Sequence, residues 1–122
     1  MARSNEQCFG RCLGVVTLMM LAAGYASAHE PVAMCVLLDA STIRCRGTSN
    51  DGDELRGARM EVNAHDGSAL LDGRLDAQST FTFAKPRQPF YVLLDTGPGL
   101  QAIVEQEEIK PVPTRKARWM QR

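Results

Sequence analysis

Apolar and polar residues alternate at every second position along most of this chain. In ARMEVNA, Met60, Val62 and Ala64 fall on one face and Arg59, Glu61 and Asn63 on the other. ALLDGRL groups Ala69, Leu71, Gly73 and Leu75. TFTF joins Phe81 to Phe83, FYVLLD joins Phe90, Val92 and Leu94, and LQAIVE joins Leu100, Ala102 and Val104. A period of two belongs to a strand with one face on the core and one in water. The clusters HDGS, DAQS, KPRQP and TGPG separate the runs, and Asp-Gly is a strong hairpin signal. No segment after residue 28 carries a helical period. With AMCVLL and TIRCRG upstream, the count reaches about seven short strands, the pattern of a small all-β sandwich. The polar stretch GTSNDGDELRG, Gly47 to Gly57, reads as a long loop between the second and third strands.

Two facing sheets of this kind are expected to bury Cys35, Leu37, Ile43, Met60, Val62, Leu71, Phe81, Phe83, Phe90, Val92, Leu94 and Val104. The alternation fixes register, because a slip of one residue would turn every core side chain to the surface. In the first hairpin, DAS reads as a tight turn centred on Ala40. It pairs Leu38 with Thr42, Leu37 with Ile43 and Cys35 with Cys45. Directly opposed cysteines lie close enough to join. The expected Cys35–Cys45 disulfide closes a short loop and stabilises by roughly 2–3 kcal/mol. The alternative, a redox or metal dithiol, calls for the close C-x-x-C spacing of such centres, and these cysteines stand ten residues apart.

The front of the chain has a different character. Arg3 and Arg11 precede an apolar run from Leu13 to Ala23, which leads to Ala26-Ser27-Ala28. A basic region, an apolar stretch and a small-x-small site form a secretory signal peptide. The run is shorter than the roughly 20 apolar residues a membrane span needs. Cys8 and Cys12 would leave with the signal, and Met34 before Cys35 argues against lipid attachment. The expected organisation is therefore a signal peptide over 1–28, a β-sandwich over 29–109 and a basic disordered tail over 110–122. The mature chain, 122 − 28 = 94 residues, is a single small domain, expected in a bacterial periplasm or outside the cell. Paired cysteines suit such an oxidising compartment.

Charge is divided along the mature chain. Residues 29–109 carry seven Lys/Arg against thirteen Asp/Glu, and residues 110–122 carry five basic residues and no acid. An acidic domain thus ends in the basic segment KPVPTRKARWMQR. Two prolines and no apolar period make a solvated end the plain reading. The sharper one is attraction to anionic lipid, to a partner or to the domain's own acidic face, with Trp119 as an interfacial anchor at a membrane. An acidic, exported domain has no use for nucleic acid.

The stretch from Gly57 to Gly99, GARMEVNAHDGSALLDGRLDAQSTFTFAKPRQPFYVLLDTGPG, resembles the transthyretin-like, or carboxypeptidase-regulatory-like, β-sandwich modules. Their pattern runs G-x-x-V-x-V, a D-G turn, L-x-x-G-x-x-D, F-x-F, a proline-containing turn and a final strand. More narrowly, it is similar to small periplasmic proteins that accompany nickel and cobalt uptake transporters. The resemblance implies a small Ig-like or transthyretin-like sandwich over roughly Cys35 to Ile109 and a membrane metal transporter or another envelope protein as partner. A histidine often follows the last glycine turn in that group. Here Leu100 follows Thr96-Gly97-Pro98-Gly99.

Candidate chemistry rests on the only two histidines, His29 and His65. Cleavage after Ala28 would give His29 a free amino group beside its imidazole. Together with His65 that makes a three-nitrogen set suited to Cu(II) or, less tightly, Ni(II). The competing view makes His29 a frayed end and His65 an ordinary turn residue. The loop SNDGDE offers carboxylates but not the spacing of a calcium loop. No G-x-S-x-G or phosphate-cradling glycine loop is present, and cysteines joined in a disulfide are not nucleophiles. Two functions remain. One is a non-enzymatic accessory in transition-metal (Ni, Co or Cu) uptake or handling. The other is a non-catalytic interaction or structural module of the envelope, with no metal site.

Overall fold

The computed structural model describes residues 29–122, and the signal-peptide reading of 1–28 lies outside them. The architecture is all-β: two four-stranded sheets packed face to face. In chain order the strands are β1 (Pro31–Asp39), β2 (Thr42–Ser49), β3 (Arg59–Ala64), β4 (Ala69–Arg74), β5 (Thr80–Ala84), β6 (Phe90–Asp95), β7 (Gln101–Glu105) and the two-residue β8 (Lys110–Pro111). The first sheet has the order β5-β2-β1-β8 and the second β4-β3-β6-β7. All pairings are antiparallel except β1 with β8.

The core forms where the period-two residues of the two sheets meet. Ile43, Cys45, Met60, Val62, Phe90, Val92 and Leu94 are fully buried. Cys35 and Cys45 face each other on the inner side of the first hairpin, with Cα atoms 4.0 Å apart, and form the disulfide. Two glycines allow close approach between layers. A Cβ on Gly47 would sit 2.6 Å from Leu75 Cδ1, and one on Gly73 would collide with the Phe81 ring.

Three core expectations change. Leu71 is 39% exposed, because it lies on edge strand β4 next to a register shift at Val62/Asn63. Leu37 and Phe81 are only partly buried at the margin. Leu75 and Ile109, outside the expected set, are buried in the cluster: one follows β4 and the other leads into β8. The first hairpin also differs by one pair. Leu37↔Ile43 and Cys35↔Cys45 stand as expected, but Thr42 pairs with Asp39 rather than Leu38. The Asp39 carboxylate accepts hydrogen bonds from the Ser41 amide (2.9 Å) and hydroxyl (3.2 Å). That tightens the turn to Ala40-Ser41 and leaves Leu38 as the extra residue of a bulge.

The largest departure is the tail. The segment 110–122, expected to be disordered, is held to the first sheet at both its ends. Lys110 and Pro111 pair with Val36 and Leu37, and the Val112 amide donates to the Leu37 carbonyl at 3.2 Å. A 3-10 turn follows at Arg118–Met120, with Met120 buried.

Between β4 and β5 the chain is held by one serine and one aspartate. Ser79 takes a left-handed backbone (φ 61°), uncommon for a residue with a side chain, and is completely buried. Its hydroxyl donates to the Gly47 carbonyl at 2.6 Å and accepts from the Leu55 amide at 2.8 Å. Asp76 accepts from the Gln78 and Thr80 amides, each at 2.9 Å, and from the Thr80 hydroxyl at 2.8 Å. Partial burial pushes the Asp76 carboxyl upward. These hydrogen bonds and nearby Arg44 outweigh it, and the group lies below the usual carboxylate range.

Candidate docking face

Alternation in β1 sends Val32, Met34 and Val36 outward, away from the disulfide side of the first sheet. Their cross-strand partners on β2 are Thr48, Arg46 and Arg44, and β5 adds Thr80 and Thr82 beside Arg46 and Arg44. An outward face this apolar on β1 needs cover, since a half-exposed strand normally alternates.

Arg44 supplies the fastening for that cover. Its Nε donates to Thr82 Oγ1 at 2.8 Å, and its Nη1 donates to the carbonyls of Trp119 (3.1 Å) and Gln121 (2.6 Å). One guanidinium thus joins two strands to the last residues of the chain, using the rigid fork of donors that suits arginine to the task. Arg122 pairs with Asp39 beside the first turn. The tail therefore crosses the outer face, where Val36, the cross-strand neighbour of Arg44, is buried to 5% exposure.

The cover stops short of the start of β1. Val32 remains 46% exposed and Met34 55%. With Arg46, Thr48 and the half-buried Trp119 they line a shallow hollow. An adjoining open hollow of about 560 Å³ is lined by Arg46, Glu54, Gln78, Ala117, Arg118 and Trp119. The outcome is an apolar strip bordered by arginines, with Trp119 shared by both hollows.

The two histidines sit elsewhere, and apart. His29 precedes β1, where its Nδ1 lies 2.7 Å from Asp51 Oδ2. His65 lies in the β3–β4 turn, its Nε2 3.8 Å from Glu105 and its ring 5.8 Å from that of Tyr91. Neighbouring Ala64 pairs with Phe90. The short connection from β5 brings Phe90 from Ala84, which pairs with Thr42 at the far end of the first hairpin. The histidines thus occupy opposite ends of the sandwich, separated by most of nine-residue β1, about 3.3 Å per residue. The expected three-nitrogen set that combined them is not assembled. Among the described residues no group of three or more His, Cys, Asp or Glu side chains gathers around a common point.

In the SNDGDE loop the Ser49 amide donates to the Asp53 backbone carbonyl at 2.9 Å and the Asp53 amide donates to the Ser49 hydroxyl at 3.1 Å, while the carboxylates of Asp51 and Glu54 meet His29 and Arg56. Sequence reasoning missed Arg44 and the exposed pair Val32 and Met34. The signal available was apolar character on both faces of β1, which demands a cover that no neighbouring run supplies. Trp119 was legible as a surface anchor but not as part of a packed segment. Comparison with known protein families, curated proteins and solved structures finds no match. The likeness to transthyretin-like modules rests on the turn and core motifs of the sequence.

Proposed function

We propose that this chain is an exported, non-catalytic docking module of the cell envelope. It would use the outer face of its first sheet as the contact surface. The observation that carries the reading is the strip of Val32 and Met34 left open beside Arg46 and Trp119. It lies on a face where a tail has been fastened at the cost of ordering thirteen residues. A contiguous exposed apolar patch rimmed by polar residues marks an interaction site. The disulfide fits an oxidising, exported setting, and a periplasmic site of action follows from the signal-like front end.

Site-specific photo-crosslinking in the producing cell tests it. A photoreactive residue at Met34 is expected to give discrete adducts, to protein or to phospholipid, and one at Ile103, exposed on the opposite sheet, is not. Adducts from neither position, or equally from both, would overturn the reading.

One contact favours a second reading, service in transition-metal handling near a transporter. The imidazole nitrogen of His29 that faces Asp51 is Nδ1, the atom that would chelate a metal together with the residue's own amino group. Cleavage after Ala28 would set an amine, an imidazole and a carboxylate side by side, a donor set that suits Cu(II). Titration of the chain beginning at His29 is expected to show Cu(II) binding that His29→Ala abolishes, Asp51→Asn weakens about tenfold, and His65→Ala leaves unchanged. Binding indifferent to His29 would remove this reading.

A further inference from the structure

We propose that the outer face of the first sheet binds the surface of an anionic phospholipid bilayer, with the tail as part of the contact. The inference rests on the docking-face reading and names its partner. Its first support is how charge is distributed between the two faces. Arg46 and Arg118 line the hollow on the outer face of the first sheet, Arg115 and Lys116 come just before Arg118 in the tail, and none of the four is in an ion pair among the described residues. Of the acids that share hollows with them, Glu54 is engaged by Arg56 and Asp76 by its own turn. The outward side of the second sheet carries Glu61, Asp72, Asp95 and Glu105 against Arg59 and Arg74, and Arg59 is held by Glu61 and Asp72. Residues 29–122, with twelve Lys/Arg against thirteen Asp/Glu, are thus basic on one face and acidic on the other. A negative plane would attract the first face and repel the second, which orients the domain before contact.

The second support is the apolar content of the basic face. Val32, Met34 and Trp119 border one shallow hollow with Arg46. Basic residues around a small apolar surface that includes a tryptophan match the interfacial zone of a bilayer, where cations meet headgroups and the indole sits at their depth. An indole beside unpaired basic residues favours a bilayer over an acidic protein, because headgroups meet cations and the indole at one depth.

The chain supplies its own probe, since Trp119 is the only tryptophan. The exported protein is mixed with vesicles of phosphatidylcholine alone or of phosphatidylcholine with phosphatidylglycerol, and Trp119 emission and co-sedimentation are followed. Expected is a blue shift with the phosphatidylglycerol vesicles, absent with phosphatidylcholine and reversed as salt rises. Each basic residue near such a surface is worth about fivefold in partitioning, so Arg46→Glu with Arg118→Glu should weaken binding by well over tenfold. Met34→Ser should weaken it severalfold with its salt dependence intact, and Ile103→Ser on the opposite sheet should have no effect. The proposal fails if phosphatidylglycerol brings no shift, if both vesicle types act alike, or if the double charge reversal binds as well as the parent. Protein adducts from Met34 without vesicle binding would sink the bilayer proposal in favour of an acidic protein and leave the docking face standing. Loss of both would remove the two together.

Discussion

Arg44 is the residue on which the shape of the candidate face depends. Its fork bonds a threonine on β5 and two carbonyls in the tail, across sequence separations of 75 and 77 residues. Hydrogen bonds from a charged donor contribute about 1.5–3 kcal/mol when shielded and less at a surface. Arg44→Ala is therefore expected to leave the sandwich folded and release the tail. Cleavage by trypsin after Arg118 should accelerate roughly tenfold. Asp76 makes a prediction of opposite character. Its carboxyl is depressed in the folded state by the Thr80 and Gln78 hydrogen bonds. The stability it adds is complete above the ordinary carboxylate value of about 3.9 and is lost as pH falls through the lower folded value. Asp76→Asn should reduce stability at neutral pH and flatten the acid limb of a stability-versus-pH curve. A limb as steep as the parent's would contradict this.

Among the elements, β3 to β7 were legible almost to the residue, because each carries a period-two pattern closed by turn residues with a mechanism. Asp66 illustrates it: its carboxylate holds the Ser68 amide and hydroxyl at 2.9 and 2.6 Å beside Gly67 at φ 90°. β8 and the 3-10 turn at Arg118–Met120 were not legible. A two-residue strand has no period, and what holds these pieces lies in β1 and β2, far away in sequence. Leu71 was misplaced for a related reason: alternation assigns a face but does not say whether a strand ends up at a sheet edge. The sheets also set a prediction at their contact. Gly73 lies against the Phe81 ring, with no room for a methyl group. Gly73→Ala should cost about 1–3 kcal/mol through overpacking, seen as a lowered denaturant midpoint with an unchanged slope.

At the scale of the whole molecule, a small domain with a modest core depends on its cross-link. The Cys35–Cys45 disulfide ties the hairpin that carries the apolar strip on one side and core residues on the other. Reduction, or Cys35→Ala with Cys45→Ala, should remove roughly 2–3 kcal/mol, as a fall in the denaturation midpoint. The cysteine pairing, the two-layer build and the acidic domain with its basic end could all be read from the sequence. The site could not, because it is made by a segment without pattern returning over a face that local rules leave bare. Whether residues 115–122 lie on that face is the question on which the docking reading turns. Nuclear Overhauser contacts from the Trp119 indole measure it most directly. The account predicts cross-peaks to the side chains of Met34 and Arg46 and dispersed shifts through Met120. Random-coil shifts over residues 115–122, with no contact from the indole to β1 or β2, would contradict it.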